Sequence, residues 1–221
     1  MKRFLLLILA ISLTFAAGCS NSSGPPSRSS QIMPLSVGNE WIGQVTHYNA
    51  QGISDSTWLD TLGVSKSEVI NGETWYYVNS FWFYNGDTSH QWLTARSDGV
   101  YSCDSEHFAK AWRLAKYPAK PEDSVVTFDS TFDSLGNGQA DGITVDTTNL
   151  SVTVPAGTFS CYVYRGFDYY QQGDVGGSAV EPGNYYDAGV GPIQFGYFNP
   201  DGTHPNVGIG RTWQLVRAVL H

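Results

Sequence analysis

The sequence predicts an all-β domain, and three observations carry that expectation. Apolar and polar residues alternate with period two in several runs, turn-forming dipeptides separate those runs, and the composition is rich in aromatics and glycine. Aromatics and charged residues each make up 14% of the chain, with 24 Gly and 7 Trp, a profile that suits strands joined by many turns.

Taken in order, Trp41–Tyr48 (WIGQVTHY) places Trp41, Gly43, Val45 and His47 on one face and the intervening residues on the other. Asp60–Ile70 and Glu73–Tyr84 flank Asn71-Gly72. Asn-Gly between β-rich runs marks a type I′ hairpin, because both turn residues need φ > 0. In the second of these runs Trp75, Tyr77 and Asn79 share one face, and Tyr76, Val78 and Ser80 the other. Asp98-Gly99 marks a second hairpin, between Gln91–Arg96 and Val100–Cys103. Glu106–Lys116 has some helical character, but its context favours a strand from Ala111 onward. Leu150, Val152 and Val154 alternate into Pro155-Ala156-Gly157, and Phe159, Cys161 and Val163 alternate out. Proline presets φ for the first turn position and Gly157 supplies a positive φ, so this too reads as a hairpin. Gln171–Gly183 is glycine-rich and reads as a loop; Ala188–Phe195 and Gly210–Leu220 read as the last strands. Most of the aromatic side chains are expected in the core.

The N-terminus carries a different signal. Lys2 and Arg3 precede an apolar run beginning at Phe4, which is shorter than the roughly 20 residues needed to span a bilayer and has the proportions of a signal-peptide core. It ends in Ala16-Ala17-Gly18-Cys19. These residues resemble the lipobox of bacterial lipoproteins, which implies that residues 1–18 are removed and that Cys19 receives a diacylglyceryl thioether. An ordinary secretory signal with an incidental cysteine is the alternative. Residues 19–30, rich in Ser, Asn, Gly and Pro, bury too little apolar surface to fold and read as a flexible tether. Residues 31–221 then form a single domain. Ser20 follows the cysteine where an aspartate would favour the inner membrane, so the sorting scheme that this resembles implies the outer membrane.

Without Lys2 and Arg3, ten basic side chains face twenty acidic ones, and the net charge of −8 becomes −10. That balance argues against nucleic acid and against an anionic membrane face as partners. Once Cys19 is acylated, Cys103 and Cys161 remain. Outside the cytoplasm such a pair tends to oxidise, so a Cys103–Cys161 disulfide is one expectation and two separately buried thiols the other.

Pro34–Trp41 (PLSVGNEW), Lys116–Lys120 (KYPAK), Val152–Phe159 (VTVPAGTF) followed by Cys161, and Ala188–Gly191 (AGVG) together resemble a group of uncharacterised envelope lipoproteins from Gram-negative bacteria. The PAGTF hairpin is more remotely similar to periplasmic proteins related to the lipoprotein carriers LolA and LolB. That likeness implies a single curved antiparallel sheet, a half-open barrel able to hold acyl chains; a β-sandwich is the alternative. The carrier fold packs helices into its mouth, and no amphipathic helix is legible in this sequence.

No catalytic constellation is present: there is no HExxH, P-loop, G-x-S-x-G elbow or dinucleotide fingerprint. Cys103 and His107 alone fall short of the three or four ligands zinc requires. Asp133, Asn137 and Asp141 lie at spacings that could serve Ca²⁺, with Gly138 at the turn, but Leu135 occupies a position where an oxygen is expected. The alternative is a polar hairpin loop between Val125–Phe132 and Ile143–Thr148. The sequence therefore points to a lipid-anchored, non-enzymatic binding or structural module, holding an apolar or amphipathic ligand. A glycan-acting hydrolase or carbohydrate-binding domain is the second reading.

Overall fold

The computed structural model describes residues 29–49, 51–81, 88–103, 108, 111–126, 131–132, 138–172, 175–180, 183–198 and 209–221. Fourteen strands form one antiparallel sheet. The first half is a meander: β1 (Glu40–Tyr48), β2 (Ser54–Ile70), β3 (Glu73–Phe81), β4 (Thr88–Arg96), β5 (Gly99–Cys103) and β6 (Trp112–Lys116). The second half comprises β7 (Ser124–Val126), β8 (Thr131–Phe132), β9 (Gly138–Val154), β10 (Gly157–Gln172), β11 (Val175–Val180), β12 (Asn184–Asp187), β13 (Gly191–Phe198) and β14 (Ile209–Val219). β14 pairs with β1, so the spatial order runs β6-β5-β4-β3-β2-β1-β14-β13-β12-β10-β9-β7. No α-helix occurs among the described residues.

The sheet curls into a half-open barrel, and its two edges are neighbours in the chain. Residues 117–123 leave β6 on one edge and deliver β7 to the other. That link is stitched on both sides. Glu122 N–H donates to the Val145 carbonyl (2.7 Å), Val145 N–H donates to the Asp123 carbonyl (2.8 Å), and Lys116 Nζ pairs with Asp123 (2.9 Å). From β10, the Tyr164 hydroxyl donates to the Lys116 carbonyl (2.7 Å).

Several predicted turns form as the residues dictate. Asn71 (φ 55°) and Gly72 (φ 83°) make the turn between β2 and β3. Pro155 and Ala156 separate the paired Val154 and Gly157, whose φ is 134°. Near Asp98 the register differs by one: Arg96 pairs with Gly99, so Ser97 and Asp98 form the turn and Gly99 opens β5. Gly99 is required there for another reason as well, since a Cβ on it would lie 2.1 Å from the Ala115 carbonyl oxygen. The expected loop over Gln171–Gly183 is corrected: its residues 175–180 form β11 against Phe167–Gln172. Ladder pairing is a main-chain interaction, so the three glycines between 173 and 177 do not prevent it.

The antiparallel order puts most strand connections at two ends, while β7 and β8 follow one another along β9, and β11 and β12 along β10. At one end lie the turns 71–72, 97–98, 155–156 and 188–190, the link 117–123, and the junction of the chain termini. This end is plugged by the N-terminal segment. Ile32, Met33 and Leu35 are only 1%, 4% and 6% exposed and join the main core. Tyr117 Oη donates to the Ser29 carbonyl (2.6 Å), and Gly189 N–H donates to the Gln31 carbonyl (2.9 Å). Asn39, itself buried, donates to the Pro34 carbonyl (2.9 Å) and accepts from His221 N–H (2.8 Å). At the opposite end, where β1 leads into β2, no described residue plugs the barrel; this end is termed the mouth.

Candidate functional site

The inner wall changes character between plug and mouth. Near the plug it is apolar: Trp41 of β1, Leu62 and Val64 of β2, Val78 of β3, Leu93 of β4 and Leu215 of β14 share one core with the plug residues, and Val45, paired with Trp58 and Trp213, continues it beyond Gly43. The Trp41 indole N–H donates to the Val190 carbonyl (2.5 Å). Continuing towards the mouth in the same phase, β2 offers Asp60 and then Trp58, and β14 offers Trp213 and then Arg211. Gly43 of β1 lies between them, paired with Asp60 on one side and Leu215 on the other. The Trp213 ring rests on it, so a Cβ at residue 43 would come 1.9 Å from that ring.

This group leaves polar atoms unanswered. Asp60 Oδ2, Arg211 Nε and Trp213 Nε1 are buried and have no hydrogen-bond partner among the described residues. Buried polar atoms are nearly always paired, and each orphan costs about 1–3 kcal/mol. The other carboxylate oxygen, Asp60 Oδ1, accepts from Thr61 N–H (2.8 Å). The Arg211 guanidinium stands 5.9 Å from the centre of the Trp58 ring. At the rim, His47 Nδ1 meets Asp55 Oδ1 at 2.6 Å. The set offers one acceptor, two N–H donors and two indole surfaces.

Desolvation raises the Asp60 carboxyl above its ordinary value of 3.8, against the opposing Thr61 hydrogen bond. The folded protein thus holds this proton more tightly than the unfolded chain. Stability falls as pH climbs from 3.8 through the raised value, and the cost persists at neutral pH. Asp60→Asn should therefore raise the urea midpoint at pH 7 and leave it unchanged near pH 3. A variant no more stable than the parent at pH 7 would count against a desolvated carboxylate.

A second aromatic group lies on the outer face of β3–β5. Trp75, Trp92 and Cys103 are buried there beneath Phe108, whose ring meets both indoles edge-on at 5.2 and 5.7 Å. Lys66 Nζ sits 4.8 Å from the Trp92 ring centre, and Arg96 packs 4.1 Å from that of Tyr101 while holding Glu73 through two hydrogen bonds (2.7 and 2.9 Å). Covered in this way, Trp75 and Trp92 are a satellite core and not an open sugar platform.

The residues singled out in the sequence fare differently. Cys19, Asp133, Asn137 and His107 lie outside the described residues. Asp141 falls in β9 opposite Asp168, and β8 pairs with the start of β9, so residues 133–137 connect two strands of a hairpin. Among the described residues no three His, Cys, Asp or Glu side chains gather as a metal site. The disulfide expectation is corrected: Cys103 and Cys161 are not joined. Cys161 belongs to the barrel interior and Cys103 to the outer satellite core, so the sheet itself separates them. Burial, with a smaller contribution from Asp187, pushes the Cys161 thiol up to about 12. Neither thiol should react with maleimide in the folded protein at pH 8, and both should react in denaturant. A two-hydrogen deficit in the intact mass would restore the bridge.

Asp60 and Arg211 were not legible as a site. The signal was nonetheless present: each interrupts an otherwise apolar alternation, in Trp58-x-Asp60-x-Leu62-x-Val64 and in Arg211-x-Trp213-x-Leu215. What the sequence does not show is that these two stripes flank Gly43.

No family model and no curated protein matches the chain. Among solved structures it is similar to a Bacteroides fragilis protein assigned as exported, with a YmcC-like fold. The identity is 13% and the TM-score 0.47, over 85% of this chain and 98% of that one. It is also similar to a Parabacteroides distasonis protein assigned as a lipoprotein, at 14% identity and a TM-score of 0.49, over 86% and 99% of the two chains. Neither likeness reaches an identity at which activity carries over.

Proposed function

We propose that this is a lipid-anchored cell-envelope protein, attached through Cys19 to the outer membrane, whose barrel mouth holds an apolar or amphipathic ligand. The observation that carries this reading is the orphaned set on the inner wall. An interior built only for stability would leave no polar atom of this wall unpaired. Here the wall turns to Asp60, Arg211 and Trp213 with atoms unsatisfied, beside the Trp58 ring. Pockets for small molecules combine apolar walls with a few convergent polar groups in this way. A ligand with an apolar body and a polar group that both donates and accepts would answer the orphans. No step of chemistry is assigned to the site, and its role is binding.

Native mass spectrometry tests the reading on residues 29–221 made in a bacterial periplasm, measured before and after solvent extraction. Extra mass that extraction removes, and that is reduced in an Arg211→Ala/Asp60→Ala variant, is the expected result. A clean apo mass from freshly isolated protein would count against a held ligand and favour a structural or protein-binding module.

A further inference from the structure

We infer that the ligand of the mouth is an organic acid: an amphipath whose anionic group is held by Arg211 and whose apolar body runs inward from there. The inference rests on the proposed binding reading and adds a charge and an orientation to it. Arg211 is a fixed cation on β14, in the same phase as Trp213 and Leu215 of the inner wall. It is half-buried, yet among the described residues it makes no ion pair and no hydrogen bond. Other described cations are placed differently. Lys66, Arg96, Arg113, Lys116 and Arg165 each hold a carboxylate at 2.6–3.1 Å, and Lys120 and Arg217 lie exposed to water. Carboxylates are not scarce in a chain with 20 acidic and 12 basic side chains. A charge drawn partly out of water without a partner is costly, and a guanidinium fork matches the oxygens of an acid group.

The nearby carboxylates are placed so that they do not serve Arg211. Asp55, at the rim, is engaged by His47 (2.6 Å) and Ser56 (3.2 Å). Asp60 lies deeper: it pairs with Gly43, whereas Arg211 pairs with His47, four residues further along β1. Four residues of strand separate the two levels by about 13 Å. An anion is attracted to Arg211 and has no proton to offer the unanswered Asp60 Oδ2, so the acid group stays at the level of the mouth. Between the two levels Trp58 is half-buried, while Val45 and Trp213 beside it have no exposed surface. The Arg211 guanidinium stands 5.9 Å from the centre of the Trp58 ring. An apolar body leaving the acid group therefore lies along Trp58 and points towards Asp60 and the Trp213 N–H.

The test uses residues 20–221, which include every described residue, and two fluorescent dyes with the same rings. One, 1-anilinonaphthalene-8-sulfonate, is an anion; the other, N-phenyl-1-naphthylamine, lacks the sulfonate. Arg211→Gln should weaken the sulfonate dye at least fivefold and shift the neutral dye less than twofold. A second measurement needs no variant: on the parent protein, octanoate should displace the neutral dye at concentrations at least fivefold below those required of octylamine, which has the same chain and the opposite charge. Equal losses for the two dyes in Arg211→Gln, or octylamine displacing as well as octanoate, would overturn the organic acid and leave the binding reading standing. No binding of either dye to the parent, together with a clean mass in the native measurement above, would remove the binding reading as well.

Discussion

Deleting residues 29–36 should abolish cooperative unfolding of the barrel. The segment follows directly on the tether, yet Ile32, Met33 and Leu35 are buried in the same core as the strand residues. Removing one such side chain from a packed core costs about 2–5 kcal/mol, and whole domains are stable by only about 5–15 kcal/mol. Because the three side chains share one core, their losses are not simply additive, but together they approach the entire stability. The deletion also orphans Tyr117 Oη and the Gly189 N–H, which donate to this segment. Urea titration of residues 37–221 against 29–221, followed by tryptophan fluorescence, checks this. A sharp transition within 1 M of the parent midpoint would show that the segment is ornamental.

Trp41→Ala should be the most destabilising single substitution, at about 3–5 kcal/mol, the range for truncating a buried aromatic. Trp41 has no exposed surface, and its ring lies against Gly191, where a Cβ would come 2.8 Å from the indole nitrogen. The ring therefore ties β1 to the turn that precedes β13, across the intervening β14. Alanine would leave a cavity that rigid neighbouring strands cannot close, and would orphan the Val190 carbonyl that the indole N–H now serves. Trp41→Phe should lose less, since it keeps most of the apolar volume and forfeits mainly a hydrogen bond worth about 0.5–1.5 kcal/mol. The ratio of the two denaturation midpoints, both measured against the parent, separates packing from hydrogen bonding. Equal losses in the two variants would assign the stabilisation to the hydrogen bond instead.

What the sequence revealed of this fold was local. Strict alternation over Trp41–Tyr48 placed Trp41, Gly43, Val45 and His47 on one face, which the structure turns to the inner wall, because a strand's side-chain period is fixed by its backbone. Asn71-Gly72 and Pro155-Ala156-Gly157 were legible because only a few residue types tolerate the required φ. The satellite core escaped notice, since alternation assigns Trp75 and Trp92 to a face without saying that Phe108 will cover it. The inner polar set escaped for a similar reason: Asp60 and Arg211 are separated by 151 residues and come to the same face of the sheet only because β2 and β14 both pair with β1. Cysteine counting left a bridge and two separately buried thiols both open, since parity along a strand does not reveal on which side of the sheet a distant strand will place its thiol. In each case the missing information was non-local pairing, which no window of sequence contains.

The pairing of β1 with β14 has a consequence for how the protein is made. A chain is made from its N-terminus, so β1 is available early and its second neighbour, β14, only after β2 to β13. The meander from β1 to β6 can assemble early from local contacts, but one edge of β1 stays unsatisfied until the final eleven-residue strand arrives. Contacts across such sequence distances are slow to form, and exposed strand edges invite pairing with other chains. Completion of the barrel therefore waits on β14, and a chain lacking that strand would be left as a sticky, unfinished sheet.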